Sequence, residues 1–274
     1  MIAYLDTCSI LNLLQVNNDD EYINYLKKSF KEIKLAEIVF IELKKHRFEN
    51  SQKEFLDNII FNQLKVLIDY SENSDAIEFT KKNNFYCYKE NGESYSVSYS
   101  LNHSRFGDEF GGNLLKTHFI TDDTPAREDF NEFYNLNVIG QILDTIDLMT
   151  FFWLKQFISK NELLSYCLTL KQLYCKDVSI LLIELKDYSR KFSDALSGKQ
   201  KITITKLIEI LSDINENTAE NLSNIIKTPV FKEILNKNKN WKKLILNIQK
   251  SNFRKKIPYI EKRINDLEKV WSLQ

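Results

Sequence analysis

Turn-forming residues are scarce, with 6 glycines and 3 prolines in 274 residues. So few exclude a chain built on many tight turns and point to many helices. No apolar run approaches the roughly 20 residues needed to cross a bilayer. The N-terminus has no basic start followed by a long apolar region, so neither membrane insertion nor export is expected and a cytoplasmic protein is. The four cysteines (Cys8, Cys87, Cys167 and Cys175) show no C-x-x-C spacing, which argues against zinc or disulfides and for reduced thiols in or near a core. The three histidines, His46, His103 and His118, are scattered and suggest neither a zinc site nor a triad. Lys+Arg and Asp+Glu balance at 38 each, so net charge names no partner.

Acids in apolar frames are what the chain does offer. Asp6 closes Ile2-Ala3-Tyr4-Leu5, Glu42 closes Ile38-Val39-Phe40-Ile41, Asp108 follows Gly107, and Asp122-Asp123 follow Phe119-Ile120-Thr121. A carboxylate at the end of an apolar run stands where α/β proteins place their chemistry, at the strand ends bordering a crevice. Several carboxylates gathered there repel one another unless divalent cations neutralise them. The pattern therefore points to a magnesium or manganese site acting on phosphate.

Short buried strands alternating with helices predict an α/β fold, a parallel sheet flanked by helices. Strand-like runs cover 2–6, 35–41, 118–121 and 138–140. Helical spacing is read from Ser9 onward, at 19–33, at 51–67, at 126–134 after Pro125, and at 142–158. Phe85-Tyr86-Cys87-Tyr88 and Tyr95-Ser96-Val97-Ser98-Tyr99 flank Asn91-Gly92, which predicts a β-hairpin insertion over about 83–100. Strand signals fade beyond 160, and five helical segments follow, at 163–173, 178–192, 202–214, 220–226 and 241–248. The expected organisation is a body over 1–175 and an all-helical C-terminal region over 176–274, without internal repeats.

In order and spacing these segments resemble the PIN-domain nucleases over about residues 1–175. Ile2-Ala3-Tyr4-Leu5-Asp6-Thr7-Cys8-Ser9 resembles the family's first motif, and Val39-Phe40-Ile41-Glu42-Leu43 its second. Gly107-Asp108 resembles the third, with Asp108 or Glu109 as its acid. Phe119-Ile120-Thr121-Asp122-Asp123-Thr124-Pro125-Ala126-Arg127 is similar to the strand-Thr-x-Asp motif, and Val138-Ile139-Gly140 to the closing segment.

The resemblance implies a metal-dependent endoribonuclease leaving a 5′-phosphate and a 3′-hydroxyl. Asp6, Asp108, Asp122 and Asp123 would hold one or two Mg²⁺ or Mn²⁺ ions, with Asp6, Glu42, Asp108 and Asp123 as the catalytic set. Thr7 and Thr121 would support ligands or touch phosphate, and Arg127 would reach a scissile phosphate or, preferably, pair with an acid. Such domains serve in toxin–antitoxin pairs and phage defence, which implies an RNA substrate, an inhibitor protein and a homodimer as partners. A haloacid-dehalogenase phosphatase also opens on a strand-end Asp but needs a second Asp two residues on, where this chain has Cys8. A catalytically silent RNA- or protein-binding scaffold and a DNA-directed nuclease are the alternatives. Lys242, Lys243, Lys250, Arg254, Lys255 and Lys256, interleaved with Trp241, Phe253 and Tyr259, would follow a nucleic-acid backbone or form a solvated face over core aromatics.

Overall fold

The computed structural model describes residues 1–16, 21–45, 65–67, 74–83, 89–107, 114–214, 218–250 and 253–271. Two compact units divide the chain, Met1–Tyr166 and Cys167–Gln274. Among the described residues no helix is long and apolar enough to cross a membrane, and Cys8, Cys167 and Cys175 form no disulfide.

The first unit is built on a parallel sheet. Its strands are β1 (Ile2–Leu5), β2 (Glu32–Ala36), β3 (Lys65–Leu67), β4 (Thr117–Ile120) and β5 (Gly140–Leu143), in the order β3-β2-β1-β4-β5. β1 is central, pairing Ile2 with Glu32 on one side and with Thr117 on the other. β1 and β4 are buried at every position, as befits strands covered on both faces. The chain winds from β1 outward to β3, then returns to the far side of β1 as β4. That reversal makes the crevice at the carboxyl ends of β1 and β4 the topological switch point, where open α/β sheets bind ligands.

The helices among the described residues of this unit are α1 (Thr7–Val16), α2 (Glu21–Ser29), α3 (Glu37–Lys45), α4 (Ser74–Asn83), α5 (Gly92–Phe106), α6 (Thr124–Leu136), α7 (Thr145–Leu154) and α8 (Lys160–Tyr174), the last continuing into the second unit. β5 begins at Gly140 because a side chain there is impossible: a built Cβ would lie 1.7 Å from the Thr117 carbonyl oxygen of β4. The strand expected at 138–140 is thus displaced toward 143.

Residues 92–106 correct the expected hairpin. Instead of a turn and a returning strand, Asn91 caps α5, its side chain accepting from Ser94 N at 3.1 Å. The alternation of Tyr and Ser looks like a half-buried strand, yet α5 is buried on nearly every face. Serines are small enough to let neighbours close in. Ser98 and Ser100 satisfy their hydroxyls on the carbonyls one turn back, at 2.8 and 2.7 Å, so their burial leaves no orphan donor. Residues 84–88, the first half of the expected hairpin, lie outside the described residues.

Two further expectations change. The apolar run at 35–41 is not one strand, because β2 ends at Ala36 and α3 starts at Glu37. Of the helix expected at 51–67, Lys65–Leu67 form β3, and 51–64 lie outside the described residues.

The second unit is helical throughout its described residues. After the end of α8 come α9 (Lys176–Lys191), α10 (Gly198–Ser212), α11 (Thr218–Ile226), α12 (Pro229–Lys237), α13 (Lys239–Lys250) and α14 (Phe253–Trp271). α10 opens on a reciprocal cap between Ser197 and Gln200, and α12 on Thr228 followed by Pro229. Leu181, Leu185, Ile204, Leu207, Leu222 and Phe231 are fully buried in its core.

Candidate active site

Asp6 leaves the end of β1 into the switch-point crevice. Its backbone N–H donates to Ile120 O of β4 at 3.0 Å, locking the two strand ends together. Its carboxylate is buried and held by three donors: Thr7 N at 2.7 Å on Oδ1, and Cys8 Sγ at 2.8 Å and Thr121 Oγ1 at 2.9 Å on Oδ2. Burial nevertheless pushes the Asp6 carboxyl above the ordinary range, and the charge on Glu42 adds to it.

Glu42 reaches the same place from α3. Thr7 Oγ1 donates to Glu42 Oε2 at 2.6 Å, so one residue steadies both acids, Asp6 through its backbone and Glu42 through its hydroxyl. Glu42 lies within a helix, as a residue expected to open or lie in one should.

The described chain supplies a further acid, in the segment that sequence patterning reads as a hairpin insertion. Gly92, the first residue of α5, lies against both carboxylates: a Cβ built on it would stand 3.4 Å from Glu42 Oε2 and 3.5 Å from Asp6 Oδ1. Glu93 follows, its carboxyl pushed up to about 7 by burial and then by the charges of Asp6, Asp123 and Glu42. Three acids from three other segments thus bear on Glu93. Asp6 and Glu42, flanking Gly92 within about 7 Å of each other, would repel by about 2 kcal/mol as unit charges at an effective dielectric of about 20.

Asp123 completes the group. It occupies the N-cap position of α6, yet its side chain makes no capping hydrogen bond. Its backbone N–H donates to Thr121 Oγ1 at 3.1 Å, and Thr121 donates in turn to Asp6. A simple helix cap therefore does not account for this acid.

Asp122 has a different position. Its two oxygens accept from Asn12 Nδ2 at 2.6 Å, Thr145 N at 3.0 Å and Thr145 Oγ1 at 2.9 and 3.0 Å. That carboxylate braces α1, the exit of β4 and the start of α7. Burial and then the charge on Asp144 push it up to about 6. Arg127 takes the pairing role, its guanidinium contacting Asp144 and, at 3.4 Å, Asp147, the two residues that form the reciprocal cap of α7. Asp108 and Glu109 lie outside the described residues.

The donors around Glu93 are carboxylate oxygens backed by hydroxyls. Cys8 does not alter that, because burial and then the charges of Asp6 and Asp122 push its thiol well above the ordinary value, and it donates to Asp6. A hard oxygen set of this kind fits Mg²⁺ or Mn²⁺ rather than a thiophilic ion. No three described His, Cys, Asp or Glu side chains already stand in a metal-ligating arrangement.

In the second unit Trp241 is buried against Tyr188, rings edge to face at 5.1 Å, so it belongs to the core. Lys242, Lys243 and Lys255 are exposed, while Lys256 sits over the Tyr174 ring and donates to its hydroxyl at 3.3 Å. The side chains of Lys250, Phe253 and Arg254 lie outside the described residues. Searches of family models, of curated proteins and of solved structures match nothing to this chain.

Sequence reasoning missed Glu93, Gly92, Asn12, Thr145 and Asp144. The signal for Glu93 was present: Asn91 with Ser94 three residues on suits a helix start, and Ser94, Ser98 and Tyr95, Tyr99 repeat at i, i+4.

Proposed function

We propose that the chain is a metal-dependent nuclease with RNA as substrate, hydrolysing phosphodiester bonds at the acidic cluster of its first unit. The observation that carries this is the gathering of Asp6, Glu42 and Asp123 around Thr7 and Thr121, with the start of α5 against them, at the switch point of a parallel sheet. The resemblance of the segments around Asp6, Glu42 and Asp123 to PIN nucleases supports the same reading.

Asp6, Glu93 and Asp123 would hold the cation, with Glu93 in the place first expected of Asp108 or Glu109. A bound Mg²⁺ or Mn²⁺ supplies a more acidic water and neutralises charge on the phosphoryl oxygens. Thr7 turns Glu42 to a fixed orientation, so that Glu42 can align an attacking water and accept its proton. Thr121 holds Asp6 and the backbone of Asp123 together, fixing two acids with one hydroxyl. Water would attack phosphorus as its proton passes to Glu42, the bond to the 3′-oxygen would break, and that oxygen would take a proton from solvent, giving a 5′-phosphate and a 3′-hydroxyl.

Cytoplasmic action, an inhibitor protein, a homodimer and a place in toxin–antitoxin or phage-defence systems rest on the resemblance alone. One observation favours a silent scaffold instead, namely that no metal-ligating triplet is already in place among the described residues. The test is cleavage of matched RNA, single-stranded DNA and duplex DNA with Mn²⁺. Asp6→Asn and Asp123→Asn, folded by circular dichroism, are expected to lose more than the roughly 10–100-fold that loss of a ligand-supporting group costs. Cleavage without metal, or full activity in both variants, refutes hydrolysis at these acids. DNA cleaved in preference to RNA reassigns the substrate, and RNA binding without metal binding or cleavage establishes the scaffold.

A further inference from the structure

Gly92 is buried at the start of α5, at the point where that helix meets α3. Its backbone does not require glycine, since it lies outside the left-handed region. Alanine is preferred to glycine in helices by roughly 1 kcal/mol, so helix formation does not explain it either. Space does. A Cβ on Gly92 would lie 2.7 Å from Val39 Cγ2, far inside the roughly 3.5–4.0 Å at which carbon atoms pack. Val39 is fully buried on α3, one turn before Glu42.

The turn that carries Gly92 is also fixed along its own length. Asn91 accepts from Ser94 N at 3.1 Å, Lys89 N donates to Ser94 Oγ at 3.0 Å, and Ser98 Oγ donates to Ser94 O at 2.8 Å. The first turn of α5 is therefore held as one piece, so a displacement forced at Gly92 is passed on to Glu93 beside it.

We propose that Gly92 is a positioning residue of the acidic site: its missing side chain lets the first turn of α5 seat on Val39, and that seating brings Glu93 up to Asp6 and Glu42. The inference rests on these acids being a cation site. Ligand distances hold within about 0.2 Å in working metal sites, and relieving the overlap with Val39 demands more than that.

Mn²⁺ titration calorimetry and RNA cleavage at increasing Mn²⁺, with melting followed by circular dichroism, test it on the full chain. Gly92→Ala is expected to weaken Mn²⁺ binding at least tenfold, with cleavage recovering as Mn²⁺ is raised. Adding Val39→Ala removes the clashing Cγ2, and Gly92→Ala/Val39→Ala is expected to regain most of the affinity. Unchanged Mn²⁺ affinity in folded Gly92→Ala overturns the proposal, as does a folded double variant that binds no better than the single one. Should the single variant not fold, the double variant alone decides. A wild-type chain that neither binds Mn²⁺ nor cleaves overturns the cation site itself, whereas an active wild type with an indifferent Gly92→Ala overturns only the role of Gly92.

Discussion

The two units bury different chemistry. Met1–Tyr166 encloses Asp6, Asp122 and Asp144 together with a set of threonines, serines and Asn12, while among the described residues of Cys167–Gln274 Thr218 is the only polar side chain buried to that degree. The second unit has the composition expected of a helical assembly held by apolar burial, about 1.5–3 kcal/mol for each fully buried Leu, Ile or Phe. The first carries carboxylates that oppose folding through desolvation and mutual repulsion. Burial of carboxylates at one end of a sheet, against a stability cost and absent among the described residues of the second unit, is what motivates the proposed site.

The largest expected break in that contrast comes from Glu93→Gln. Removing one charge from the cluster should abolish Mn²⁺-dependent cleavage by more than about a hundredfold and yet stabilise the metal-free chain. The sign follows from the direction of the shift. Glu93 is raised from 4.5 to about 7 and Asp122 from 3.8 to about 6, so the folded chain binds more protons than the unfolded one between those values. Stability of the metal-free protein should therefore fall as pH rises from about 4 to about 7. Divalent cations should restore it above pH 7. Thermal melts across that range, where about 1 kcal/mol moves Tm by roughly 2–4 °C for a domain of this size, check both points. In Glu93→Gln the fall should be visibly shallower. A melting temperature that rises with pH through this window would contradict the buried-charge account.

Arg127→Ala ranks next and acts on stability rather than directly on chemistry. It leaves Asp144, 3% exposed, without its guanidinium. Urea unfolding should show a loss of about 3 kcal/mol, the lower end for breaking a buried pair. A loss confined to activity, with stability intact, would instead place Arg127 at the substrate.

The smallest effect is expected in the second unit. Lys242→Glu with Lys243→Glu changes two exposed side chains, and cleavage at low salt should fall only several-fold. If these lysines follow RNA, the slope of log affinity against log salt should drop by about 2. An unchanged slope makes them part of a solvated face.

Much of this contrast can be read from residues alone, because apolar runs ended by acids mark β1 and β4 and helical spacing marks most of the second unit. Asp6 and Asp123 follow directly from those runs. Glu42 reads as opening or lying in a helix, and it does lie in one, although the run from Leu35 to Ile41 does not show where β2 stops and α3 begins. α5 was misread for a physical reason: Asn91-Gly92 has the chemistry of a hairpin turn, and alternating Tyr and Ser has a period of two. Only tertiary packing, with serines tucked under neighbouring elements, turns that segment into a buried helix. Glu93 went unseen with it. Asp122 looked like a ligand because nothing in sequence places Asn12 and Thr145 beside it.

The register that pairs Ile2 with Thr117 also governs when the site can exist during synthesis. β4, and Asp123 just beyond it, follow β1 and Asp6 by more than a hundred residues in the chain. Until β4 is made, one edge of the central strand has no neighbour and the acidic cluster lacks Asp123. Under the proposed function, activity waits for that long-range closure, which the winding order places late in the assembly of the first unit.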